Sequence, residues 1–169
     1  MKQIALICLG LFGCSAAGEG PSVVIPPLTL SPEGIDYALV QDAAERWEQA
    51  TGLPLLVQAG GAPVRYAPMS YDKNSGETAV HWRSDGPTEI LWVHIDERRA
   101  HNQSLVGHIL LHETGHAVCE HGILGQTEDN CHSGSGLLHR TVVGEPCIDA
   151  ASLATVCGYR DCQTFSPEC

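Results

Sequence analysis

His112-Glu113-Thr114-Gly115-His116 holds the residues best able to do chemistry. Histidines four apart lie on one face of a helix, one turn from each other. Their imidazoles can share one Zn²⁺ at bonding distances of about 2.0–2.1 Å. A glutamate next to the first histidine sits near the open coordination position. Water on such a zinc has its pKa lowered to roughly 7, and the carboxylate can take its proton. The pattern therefore points to metal-assisted hydrolysis, with His112 and His116 as ligands, Glu113 as base and one catalytic Zn²⁺.

The elements around the motif suit that chemistry. Ser104 to Leu111 reads as helical, with Leu105, Ile109 and Leu110 on one apolar stripe and Ser104 as N-cap. The motif then falls in the second half of a helix. His108, one turn before His112, is expected to pack or to support the site.

Ser31-Pro32-Glu33 is a helix-start signal. Ile35, Leu39, Ala43 and Trp47 follow at a spacing of four, and Gly52 stops the helix. Strands are expected at Leu53–Gln58, Val64–Tyr66, Thr78–Trp82 and Glu89–Ile95, separated by turns at 72–76 and 85–87. A last helix opens at Asp149, with Ile148 and Leu153 spaced as a hydrophobic staple, and ends at Gly158. The order is helix, strands, motif helix, final helix, which makes an α+β domain.

The chain of 169 residues fits one domain with its own core. Lys2 followed by the apolar run Ile4–Phe12 reads as a signal peptide, too short to span a bilayer. Leu11-Phe12-Gly13-Cys14 resembles the lipobox of bacterial lipoproteins, in which Cys14 becomes the lipidated first residue. Cleavage near Ala16-Ala17-Gly18 is the alternative, and either route exports the protein. The expected organisation is a leader at 1–13, a tether or extended segment at 14–33 and a folded domain at 34–169.

The net charge is −11, and removing the leader takes away Lys2 and no acid. Such an acidic chain argues against nucleic acid and anionic membrane as partners. Membrane contact is expected only through a lipid anchor, and the protein is expected to be a monomer. Of the eight cysteines, Cys8 lies in the leader and Cys14 at its end. The even remainder, Cys119, Cys131, Cys147, Cys157, Cys162 and Cys169, suggests disulfides in an oxidising compartment, with the pairing open. Those flanking the final helix are expected to staple it to the body.

From about Ile35 to Cys157 the layout resembles the metzincin zinc peptidases, most closely a minimal matrixin-like catalytic domain. The resemblance implies an opening helix, a twisted mixed sheet, the H-E-x-x-H helix, a methionine-containing turn beneath the metal and a final helix. It implies an exported, zinc-dependent endopeptidase acting on polypeptides, with Glu113 as general base.

In the family the motif extends to H-E-x-x-H-x-x-G-x-x-H. Here Cys119 occupies the glycine position and Gly122 that of the third histidine. His132 and His121 compete as substitutes. A Cys119–Cys131 disulfide would pinch off the intervening loop and bring His132 close to where the third ligand emerges, which favours His132. The segment Gly136-Leu137-Leu138-His139 matches the methionine turn, with Leu138 in place of methionine. Leucine has a similar volume and can form the same floor. By the same analogy, the strand around Glu89–Ile95 offers its edge to an extended substrate.

Two other readings stay open. One is a thermolysin-like (gluzincin) site whose third ligand is Glu145, with Glu128 behind it. The other is a surface lipoprotein with a degenerate, non-catalytic zinc site.

Overall fold

A computed structural model describes residues 25–69, 75–81, 86–123, 131–139 and 146–169. The proposed leader, Cys14, Trp82, Glu128 and Glu145 lie outside the described residues. Within them the protein is mixed α+β. Five strands, β1 (Leu28–Glu33), β2 (Leu55–Val57), β3 (Ala62–Ala67), β4 (Gly76–His81) and β5 (Glu89–Asp96), form one sheet in the order β2-β1-β3-β5-β4. All neighbours run parallel except β4, which pairs antiparallel with β5 at the sheet edge. Among the described residues there are also three α-helices, α1 (Tyr37–Thr51), α2 (Gln103–Glu120) and α3 (Ala150–Tyr159), and a 3-10 turn at Glu97–Arg99.

β1 was not expected. Its sequence holds Pro32, which cannot donate to a ladder. The sheet accommodates it because β2 pairs only with Leu28–Leu30, so at Pro32↔Val64 only the β3 side is occupied. Residues 28–33 therefore belong to the sheet, not to a tether, and the folded body starts before residue 34. The first helix starts later than Ser31: Asp36 is its N-cap, accepting from Ala38 N at 2.9 Å. Gly52, at φ 68°, ends it as expected.

β5 lies between β3 and β4: β4 pairs with it along Glu89–Ile95, and β3 with Val93–Asp96. The sheet edge on this side is β4, which corrects the expectation for Glu89–Ile95.

The core joins Leu30, Val64, Val93 and Ile95 of the sheet to Val40 and Trp47 of α1 and to Ile109, Leu110 and Leu111 of α2. The apolar face of α1 packs mainly on α2, not on the sheet alone. The Trp47 indole N–H donates to Leu111 O at 2.8 Å. The α2 N-cap is Asn102, two residues before Ser104, and its side chain accepts from Leu105 N. From Ile109 to Glu120 every residue of α2 is buried. A helix covered all round belongs to the interior, so its His and Glu side chains must find polar partners or a cation there.

Three disulfides are present: Cys119–Cys131, Cys147–Cys169 and Cys157–Cys162. The last two close the C-terminal segment on itself and do not staple α3 to the body. α3 runs one residue past Gly158, to Tyr159. Attachment of the tail to α1 is by hydrogen bonds instead: Gln163 N and Thr164 N donate to Thr51 O, and Ser166 N to Ala50 O. Arg46 grips the Glu168 carboxylate through Nε and Nη2 at 2.8 and 2.5 Å.

Candidate metal centre

α2 places His112 and His116 one turn apart, with Nε2 atoms 3.1 Å apart. Two nitrogens each about 2.0–2.1 Å from a common tetrahedral ion would stand about 3.4 Å apart, so the pair is close to a chelating geometry. His112 Nδ1 lies 2.5 Å from the backbone carbonyl of Leu137. A carbonyl only accepts, so the neutral ring carries its proton on Nδ1 and keeps its lone pair on Nε2, facing His116. Metal-binding histidines are commonly fixed in this way.

The third imidazole is that of His132. Its ring centroid is 4.6 Å from that of His116, and the His112 and His116 centroids are 4.8 Å apart. Three local features bring it there. After α2 the chain turns back at Gly122 and Ile123, which exchange hydrogen bonds with Thr88. Cys119, one turn beyond His116, is disulfide-bonded to Cys131, with Cα atoms 6.1 Å apart. His132 follows Cys131 directly, and Ser133 N then donates to Leu138 O at 3.0 Å. Burial, then the neighbouring His112 and His132, hold the His116 imidazole well below its ordinary 6.5. That is the neutral form a cation needs.

His121 does not join this cluster. It caps the C-terminus of α2, its Nε2 contacts Pro26 O at 2.9 Å, and its own carbonyl accepts from Arg160. The extended backbone of the cap carries the ring towards the start of β1. His108 is half-buried on α2.

The turn below the histidines is held from α3. Leu138 is fully buried, where methionine was expected from the resemblance. Leu137 N donates to Asp149 Oδ2 at 2.7 Å and Leu138 N to Ser152 Oγ at 2.9 Å. Gly136, at φ 79°, must lack a side chain, because a Cβ there would fall 2.1 Å from Asp149 Oδ2. Burial opposes the Asp149 charge, but bonds from Leu137, Ser152 and Ala151 outweigh it and hold the carboxyl below its usual range. The expected cap of α3 is thus also the anchor of the turn that holds His112. Gly115 within the motif gives the floor its space: a Cβ there would be 2.4 Å from Trp47 and 2.7 Å from Leu138.

Glu113 is 6 % exposed. Its Oε1 is 4.0 Å from His112 Nε2, and its Oε2 accepts from Thr78 Oγ1 of β4 at 2.9 Å. Thr78 and the Leu137 carbonyl carry no motif of their own; they become visible only once the chain is folded.

Among the described residues no group of three or more His, Cys, Asp or Glu side chains is placed to hold a metal ion. His116 stands beside both His112 and His132, and imidazoles with one tautomer fixed by a carbonyl and a carboxylate beside them are donors of the kind zinc takes. A cavity of about 200 Å³ between Ile25–Leu28, Leu53–Leu55, Val118, Arg160 and Asp161 contains none of these residues, so the functional reading rests on the histidine cluster. Comparison with family models, with curated proteins and with solved structures finds no match for this chain.

Proposed function

We propose that this protein is an exported zinc-dependent metalloendopeptidase of metzincin-like architecture. The observation that carries the reading is the meeting of His112, His116 and His132 next to Glu113 in a buried helix. These three histidines would hold one Zn²⁺. When bound, the ion supplies Lewis acidity, which makes water acidic near neutral pH and polarises a peptide carbonyl. Glu113 Oε1 takes the proton of the attacking water and delivers it to the leaving amine. The Leu137 carbonyl keeps His112 Nε2 as the electron-pair donor throughout. The edge strand beside Glu113 is β4, so an extended polypeptide can add to the sheet there.

Three disulfides support folding in an oxidising compartment, in keeping with export. No helix among the described residues is long and apolar enough to cross a membrane. Lipidation at Cys14 belongs to the proposal as the route to a cell-envelope location. A zinc-holding surface protein without catalysis is the second reading.

The two separate in one experiment. Zinc content and cleavage of a peptide library are measured for the oxidised protein and for Glu113→Gln. The peptidase reading expects cleavage by the wild type, and a loss of about 10²–10⁴ in kcat with zinc retained in the variant. Bound zinc with no cleavage by either protein makes it a binding protein.

A further inference from the structure

We infer that Thr78, on the edge strand, is the positioning residue that orients the Glu113 carboxylate; the inference rests on the peptidase reading and deepens it.

Glu113 projects from a helix that is buried on all sides, towards β4. Residues 76 and 78 of β4 share one face of the strand, because side chains alternate with a period of two. That face meets Glu113 in two different ways. Gly76 makes room: a Cβ there would lie 2.7 Å from both Cγ and Oε1 of Glu113. Thr78 gives the anchor: its hydroxyl proton is shared between Glu113 Oε2 at 2.9 Å and the Glu113 backbone carbonyl at 3.0 Å. The two carboxylate oxygens are thereby made unequal. Oε2 is held by Thr78, and Oε1 lies between Gly76 and His112, 4.0 Å from His112 Nε2. The Thr78 hydroxyl is one of the contacts that restrict the rotation of the Glu113 carboxylate. The strand that offers its edge to substrate and the strand that aims the base are then the same, which ties peptide docking to the orientation of Oε1.

Neither feature was legible as function in the sequence, which placed Gly76 in the turn at 72–76 and Thr78 at the start of the next strand; the structure makes both part of β4.

The test compares wild type, Thr78→Val, which keeps the shape without the donor, and Thr78→Ser, which keeps the donor. Cleavage kinetics on a fluorogenic peptide pool, zinc content, Tm and the crystallographic position of Glu113 are measured for each. Thr78→Val is expected to lower kcat about ten- to a hundredfold, as a misplaced catalytic group does. Its KM, zinc content and Tm should stay close to wild type, its Glu113 carboxylate should turn away from β4, and Thr78→Ser should restore the rate. Unchanged kcat with Glu113 in its original place in Thr78→Val would overturn the inference. So would a loss that Thr78→Ser shares in full or that follows lost zinc. If the wild type cleaves nothing, the peptidase reading fails separately, and the position of Glu113 in Thr78→Val still decides whether Thr78 orients it.

Discussion

At the residue scale, the pairing of His112 with His116 was readable because the helix period alone puts them one turn apart. The histidine that joins them from outside the helix was not, because it comes from a separate stretch of chain. His121 and His132 are both near in sequence, and only the fold separates them: one ring is bonded to Pro26 O, the other stands beside His116. Zinc affinity measured by chelator competition should follow that geometry. His132→Ala is expected to weaken binding by more than about a hundredfold, beyond the tenfold to hundredfold typical of losing an outer hydrogen-bond partner. His121→Ala should leave affinity near wild type. The reverse order would return His121 to the site.

At the scale of elements, α1, α2 and α3 were legible from periodicity and caps, although two of the caps sit elsewhere: Asp36 instead of Ser31, and Asn102 instead of Ser104. β1 was hidden by Pro32, since single-sequence reasoning cannot see that β2 has already ended at that register. The role of the C-terminal tail was also invisible, because its partners lie over a hundred positions away, as in Arg46–Glu168 with a separation of 122. That clamp makes a pH prediction. The Arg46 hydrogen bonds, reinforced by Ile148 N against the cost of burial, hold the Glu168 carboxyl below its ordinary 4.5. A carboxyl depressed in the folded state contributes stability above its unfolded pKa and loses it as pH falls through the folded value. Tm should therefore be insensitive to this group at neutral pH and fall as pH drops below about 4.5. Glu168→Gln should cost about 1–2 kcal/mol at pH 7 and flatten that acid limb. Thermal melts of both proteins from pH 7 to pH 3 check this, and parallel curves would deny the clamp its role.

At the scale of the molecule, the sheet and the other helices bury the second half of α2, and with it His112, Glu113 and His116. The Cys119–Cys131 disulfide and the α3-anchored turn then bring His132 and the Leu137 carbonyl to that helix from a separate stretch of chain. Composition and motif order indicated an α+β domain of this kind, but the joining of its parts around the histidines depends on contacts that no local pattern encodes. The most direct test is an anomalous-difference map at the zinc absorption edge, from crystals of the fully oxidised protein grown with zinc. The account predicts one strong peak at about 2.0–2.1 Å from Nε2 of His112, Nε2 of His116 and a ring nitrogen of His132. No peak at this cluster, or a zinc ion bound without His112 and His116, would contradict it.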